Sequence, residues 1–96
     1  MVEVRQTTAF ITWLAKLKDI QAVARIVARL RRFELGNLGD VKAVGEGLWE
    51  ARIDYGPGYR LYFVKRGEIL IVMLCGGDKR TQDADIKRAK VMAKEI

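Results

Sequence analysis

Residues 48–75 read LWEARIDYGPGYRLYFVKRGEILIVMLC, and this stretch decides the fold class. From Leu48 to Asp54, Trp49, Ala51 and Ile53 point one way while Leu48, Glu50 and Arg52 point the other. From Tyr59 to Arg66, Tyr59, Leu61 and Phe63 oppose Arg60, Tyr62 and Val64. A period of two is that of a strand. Tyr55-Gly56-Pro57-Gly58 separates the two runs, and Arg66-Gly67 separates the second from Ile69 to Cys75. Connections this short join antiparallel neighbours, so the stretch predicts a meander. Its last run, Ile69 to Leu74, is apolar at every position and reads as a central strand covered on both faces.

Working outward, Val2 and Val4 alternate with Glu3 and Arg5, the pattern of a short strand. Thr7 or Thr8 can cap a helix whose stripe is Phe10, Trp13, Leu14 and Leu17, and Asp19 a second with the stripe Ile20, Val23, Ala24, Val27 and Leu30, stopped by Gly36. Val41 to Val44 adds a strand before the turn Gly45-Glu46-Gly47. Gly76-Gly77 is expected to break the last strand, and Thr81 to cap a final helix with Ile86, Ala89, Ala93 and Ile96 on one face. Asp83 and Asp85 in its first turn and Lys90 and Lys94 near its end suit the helix dipole. The order β-α-α-β-β-β-β-α predicts a single α+β domain over residues 1–96, with helices packed on one face of a twisted antiparallel sheet.

The 96 residues hold 18 Lys plus Arg against 12 Asp plus Glu, a formal charge of +6, with one Cys and no His. Zinc sites, Ser-His-Asp triads, Cys-His dyads and histidine acid/base chemistry are excluded, and no metal or cofactor is expected. No run approaches the ~20 apolar residues of a membrane span. Cys75 has no disulfide partner and Met1-Val2-Glu3-Val4-Arg5 is not an apolar signal, so a reducing cytoplasm is the expected compartment. The available chemistry is that of Arg, Lys, carboxylates, Tyr and the backbone.

The positive charge is concentrated. Arg25, Arg29 and Arg32, at i, i+4 and i+7 with Arg31 nearby, form a ridge on the second helix. It reads either as a solvated face or as a surface for an anionic partner. Arg52 and Arg60 flank the Tyr55–Gly58 turn, and Lys79 and Arg80 follow the glycine pair; if their strands are neighbours, four cations converge. Cross-strand ion pairing, Arg60 with Glu50 or Asp54, is the plain reading. The functional one is a phosphate site, where guanidinium groups meet the charge that builds on the non-bridging oxygens during phosphodiester displacement. Tyr55, Tyr59 and Tyr62 offer faces for unpaired bases or, equally, ordinary packing. RNA suits such a site better than DNA, because its own 2′-hydroxyl can be the nucleophile.

Three blocks, Leu48 to Ile53, Gly58 to Phe63 and Cys75-Gly76-Gly77-Asp78-Lys79-Arg80-Thr81-Gln82, taken together in this order, resemble the RelE/ParE toxin superfamily, and within it the HigB-like addiction module killer proteins. The resemblance implies the toxin of a bacterial type II toxin-antitoxin pair, with an RNA-binding concavity on the sheet. The implied activity is cleavage of messenger RNA on the ribosome, by attack of the 2′-oxygen on the adjacent phosphate to leave a 2′,3′-cyclic phosphate. Arg60 then matches the phosphate-stabilising arginine, Arg52 a basic strand position, and Lys79 with Arg80 the basic pair before the last helix. Tyr59, Tyr62 and Lys42 join them as RNA-contacting residues, and the ridge of Arg25, Arg29 and Arg32 would meet an acidic segment of a helix-turn-helix antitoxin. One departure concerns Thr81 to Ile86, which holds no aromatic where relatives place a tyrosine for proton transfer. Asp83 or Asp85 could stand in, or serve only as helix N-terminal charges. Two other functions fit the same residues: a ParE-like inhibitor of a protein such as gyrase, and a basic nucleic-acid-binding module that cuts nothing.

Overall fold

The computed structural model describes residues 1–96 in the element order β1 (Glu3–Gln6), α1 (Thr8–Lys16), α2 (Ile20–Glu34), β2 (Val41–Gly45), β3 (Leu48–Ile53), β4 (Tyr59–Arg66), β5 (Leu70–Asp78), a 3-10 turn (Lys79–Thr81) and α3 (Gln82–Lys94). Thr7 caps α1: its hydroxyl accepts the N–H of Phe10 at 3.1 Å and donates to the Leu74 carbonyl at 2.6 Å, joining the cap to β5. Asp19 caps α2 through Oδ1, which accepts the N–H groups of Gln21 and Ala22. Beyond the last turn Gly36 adopts φ +85°, the left-handed conformation that lets the chain leave the helix.

The five strands lie in the order β1-β5-β4-β3-β2. The meander β2 to β5 is antiparallel, and β1 adds to β5 in parallel, with Glu3 opposite Leu70 and Gln6 opposite Met73. The alternation read in β3 and β4 divides two apolar layers. Phe10, Ile26 and Phe33 of the first two helices pack on Ala51, Ile53, Leu61, Phe63 and Met73. On the other face Leu48, Tyr62, Val64, Leu74 and Cys75 pack under Ala89 of α3.

Packing of the helices on one face therefore holds for α1 and α2 only. α3 crosses to the opposite face, as β5 demands, because a strand apolar on both sides needs two covers. Its contact row is Ala89, buried, with Ile86 and Ala93 half-buried; Ile96 lies outside it, 54% exposed. The stripe of α2 is also shifted. Ala22, Ile26, Arg29, Leu30 and Phe33 face the sheet, whereas Ile20 is 83% exposed.

Gly76-Gly77 does not break β5, which runs on to Asp78. The glycines admit close neighbours instead. A Cβ on Gly76 would overlap the Trp13 ring, and one on Gly77 would overlap the Asp85 carboxylate. Nor does the Thr81 side chain cap α3. Asp78 caps the preceding 3-10 turn by accepting the Arg80 N–H at 2.8 Å, while the Thr81 hydroxyl donates to Asp85 at 2.5 Å.

Candidate functional site

Register places the polar residues of β3 and β4 together on the α3 face. Glu50 pairs with Tyr62, Arg52 with Arg60, and Arg60 in turn with Gly77. At the turn end of this hairpin lies a cleft of about 350 Å³ lined by Asp40, Arg52, Asp54, Gly58, Arg60 and Lys79, among others. Gly58, at φ +81°, carries no side chain between Arg60 and Lys79; a Cβ there would stand 3.6 Å from Arg60 Nη1 and 3.7 Å from the Lys79 Cβ. Three cations and two carboxylates thus edge one opening, and the structure brings together Arg52, Arg60 and Lys79.

Behind the opening sits a carboxylate. Glu50 has no solvent exposure. Its Oε2 accepts the Tyr62 hydroxyl at 3.1 Å and the Gln82 Nε2 at 2.8 Å. Its Oε1 stands 4.0 Å from Arg52 Nε and 4.0 Å from Arg60 Nε, and none of these three atoms makes a hydrogen bond. The Arg60 side chain is 12% exposed and that of Arg52 40%. Burial, then the Glu50 charge, holds the Tyr62 phenol well above its ordinary pKa, so it stays protonated and donates. Ion pairing and cation convergence, two readings of the same arginines, are both present, and the shared carboxylate is that of Glu50.

Arg80 turns away from the cleft. It is exposed and forms a fork with Asp78, Nε to Oδ1 at 3.3 Å and Nη2 to Oδ2 at 2.9 Å, which holds the Asp78 carboxyl below the usual range. Tyr59 and Tyr62 offer no stacking face. Tyr59 shares the parity of Leu61 and packs edge-on against Trp13 in the α1 layer, 6.2 Å between ring centres, while Tyr62 is fully buried beneath α3. Lys42, exposed on β2 opposite Glu50, lies on the same side of the sheet as the arginines.

Arg29 turns inward from the ridge, to the floor of the cleft that Arg25 and Arg32 border. It is buried, and its guanidinium donates to the carbonyls of Leu38 at 2.9 Å, Asp40 at 2.7 Å and Arg52 at 2.9 Å. The remaining ridge residues, Arg25 and Arg32, line a second cleft of about 330 Å³ that meets the first along Ile53 and Asp54. Arg25 lies 4.6 Å over the Tyr55 ring, whose hydroxyl donates to Asp19 Oδ2 at 2.9 Å. Asp83 is exposed in the first turn of α3.

Gln82 and Asp40 are site residues to which sequence reading gives no role, and Glu50 it names only as an ion-pair partner of Arg60. The one signal was parity, since Glu50 shares its strand face with Arg52.

A family model, "Phage derived protein Gp49-like (DUF891)", matches residues 12–95. An uncharacterized protein of Haemophilus influenzae is 48% identical over 95 residues, covering 99% of this chain and 96% of that one. Among solved structures, a chain of the intact E. coli RelBE toxin-antitoxin complex superimposes with a TM-score of 0.67, covering 81% of this chain and 96% of its own. Sequence identity in that comparison is 14%, so the likeness is one of fold.

Proposed function

Since this chain belongs to the phage-derived Gp49-like family and shares the fold of a chain from a toxin-antitoxin complex, we propose that it is the toxin of a type II toxin-antitoxin module, of the HigB-like kind, and that it cleaves messenger RNA. The observation that carries the reading is the meeting of Arg52, Arg60 and Lys79 at one cleft. In the reaction the 2′-oxygen forms a bond to the adjacent phosphorus and the bond from phosphorus to the 5′-oxygen breaks. The 2′-hydroxyl gives up its proton and the leaving 5′-oxygen takes one. Charge accumulates on the non-bridging oxygens, and Arg60, with Arg52 and Lys79, answers it with positively charged hydrogen-bond donors. With the ribosome holding the message in place, the protein need supply little beyond this electrostatic complement.

The antitoxin is the second partner in this reading: a helix-turn-helix protein whose acidic segment lies against Arg25 and Arg32 and covers the neighbouring cleft. Both partners place the protein in the cytoplasm, and no helix is long and apolar enough to cross a membrane.

Primer extension on cellular mRNA after induction tests the activity. The expected result is codon-spaced 5′ ends that disappear in Arg60→Ala and diminish in Lys79→Ala. Growth arrest with intact transcripts and stalled gyrase would overturn it in favour of a protein-directed toxin.

A further inference from the structure

The pairing of Arg52 with Arg60 is unfavourable taken alone. Two guanidinium groups directly opposite on adjacent antiparallel strands repel, and each has a long side chain free to swing toward water. Yet both Nε atoms are buried, aimed at one oxygen and without hydrogen bonds. What stands between them is Glu50 Oε1. That oxygen is left facing the arginines because the other, Oε2, is taken by two donors, Tyr62 from the neighbouring strand and Gln82 from the first residue of α3. A carboxylate held by one oxygen in this way has a fixed orientation, and its charge offsets one of the two it separates.

We propose that Glu50 is a positioning residue: pinned by Tyr62 and Gln82, it draws the Nε side of Arg52 and of Arg60 inward so that their terminal nitrogens face the cleft as a rigid pair. Glu50 itself has no exposure and does not reach a substrate. Its charge also lowers the cleft's attraction for a resting phosphodiester, so it favours geometry at the expense of binding. This rests on the reading of the cleft as a phosphodiester-cleaving site.

The test uses the full chain and ribosomes programmed with mRNA, comparing wild type, Glu50→Gln and Gln82→Ala. Cleavage gives kcat; binding is measured on a message carrying a 2′-deoxynucleotide at the cleavage position, which cannot react. Glu50→Gln keeps the size of the side chain and an acceptor for Tyr62 but loses the charge. The expected result is a fall in kcat of about 100-fold, as for a misplaced catalytic group, with binding unchanged or tighter. Gln82→Ala, which leaves the strands untouched, falls in the same direction by a smaller factor. A folded Glu50→Gln protein with kcat within about threefold of wild type overturns the proposal, as does a parallel loss of kcat and binding, the mark of a purely structural role. If Glu50→Gln fails to fold, Gln82→Ala decides by the same criteria.

A readout independent of activity keeps the two claims apart. In ¹H–¹⁵N spectra the Nε–H signals of Arg52 and Arg60 are expected to exchange with solvent slowly in wild type and at least about tenfold faster in Glu50→Gln, since local opening controls exchange of buried groups. If wild type cuts no RNA, the functional reading falls and these signals alone decide the positioning role; equal exchange in both proteins overturns it.

Discussion

The guanidinium of Arg29 donates to the main-chain carbonyl of Arg52 at 2.9 Å, so a side chain of α2 grips the backbone of the strand whose own arginine opens on the opposite face. Burial, with Arg32 nearby, lowers the Arg29 pKa, and Asp40 partly offsets this. If this group is removed the carbonyls of Leu38 and Arg52 lose its bond and that of Asp40 keeps only the Arg52 N–H. Arg29→Met is expected to destabilise the fold by about 3 kcal/mol or more, the cost of leaving buried acceptors short of a donor. Arg25→Ala and Arg32→Ala, at exposed positions, should stay within about 0.5 kcal/mol of wild type. Urea unfolding of the three variants checks this, and equal effects would refute the division of the ridge.

Arg52 and Arg60 should part company in stability and activity. Removing Arg52, the more exposed of the pair, relieves like-charge repulsion across the strands. Against this, the buried Glu50 keeps only Arg60 as a counter-charge, so Arg52→Ala is expected to cost about 1 kcal/mol in unfolding. Arg60→Ala should lower RNA cleavage by about 100-fold or more, as for the loss of a donor to a developing oxyanion. Thermal melts beside a single-turnover cleavage assay measure both.

The glycine pair separates two kinds of crowding. Gly76→Ala drives a methyl into the Trp13 ring, which is wedged between Phe10 and Tyr59, and should cost about 2–3 kcal/mol. Gly77→Ala meets the far end of the Asp85 side chain, which can rotate away by giving up its bond from Thr81, and should cost about 1 kcal/mol. A double-mutant cycle of Gly76→Ala with Trp13→Leu is expected to recover part of the first loss; strict additivity would show the ring is not the obstacle.

The Asp19–Tyr55 bond predicts a pH signature. Hydrogen bonding from Tyr55 holds the Asp19 carboxyl below its ordinary value, and the same bond raises the Tyr55 phenol. A depressed carboxyl contributes stability that is present above the unfolded value of about 3.9 and is lost as pH falls through the folded one. A raised phenol contributes below about pH 10 and is lost as pH rises through its folded value. The melting temperature of wild type should exceed that of Tyr55→Phe at neutral pH and converge on it toward pH 2. A gap that does not change with pH would refute the bond's contribution.

What could be read in advance was whatever depends on near neighbours. The strands of residues 48–66 show their period directly, and Thr7 and Asp19 cap their helices because a cap is a bond across two or three residues. The α2 stripe was misread because Arg29 counts as polar in any periodicity, while the carbonyls that allow its burial come from Leu38, Asp40 and Arg52. Glu50 was read as a partner for Arg60, but its full burial was not foreseen, for the same reason. An acid on a strand reads as solvent-facing, and the donors that make its burial tolerable, Tyr62 and Gln82, come from 12 and 32 residues on. Gly76-Gly77 read as a stop because glycine's absence of bulk says nothing of what approaches it.

The parallel seam between β1 and β5 joins Glu3 to Leu70, the first strand of the chain to the last. Loops that long close slowly, since their entropy must be met before any contact rewards it. The cleft has the same timetable, because Lys79 and Gln82 complete it only when β5 and the start of α3 are in place. During synthesis the sheet thus lacks both its parallel seam and its basic opening until β5 and the start of α3 have emerged. On the reading proposed above, the cleft that cuts a message exists only once β5 and the start of α3 have been made.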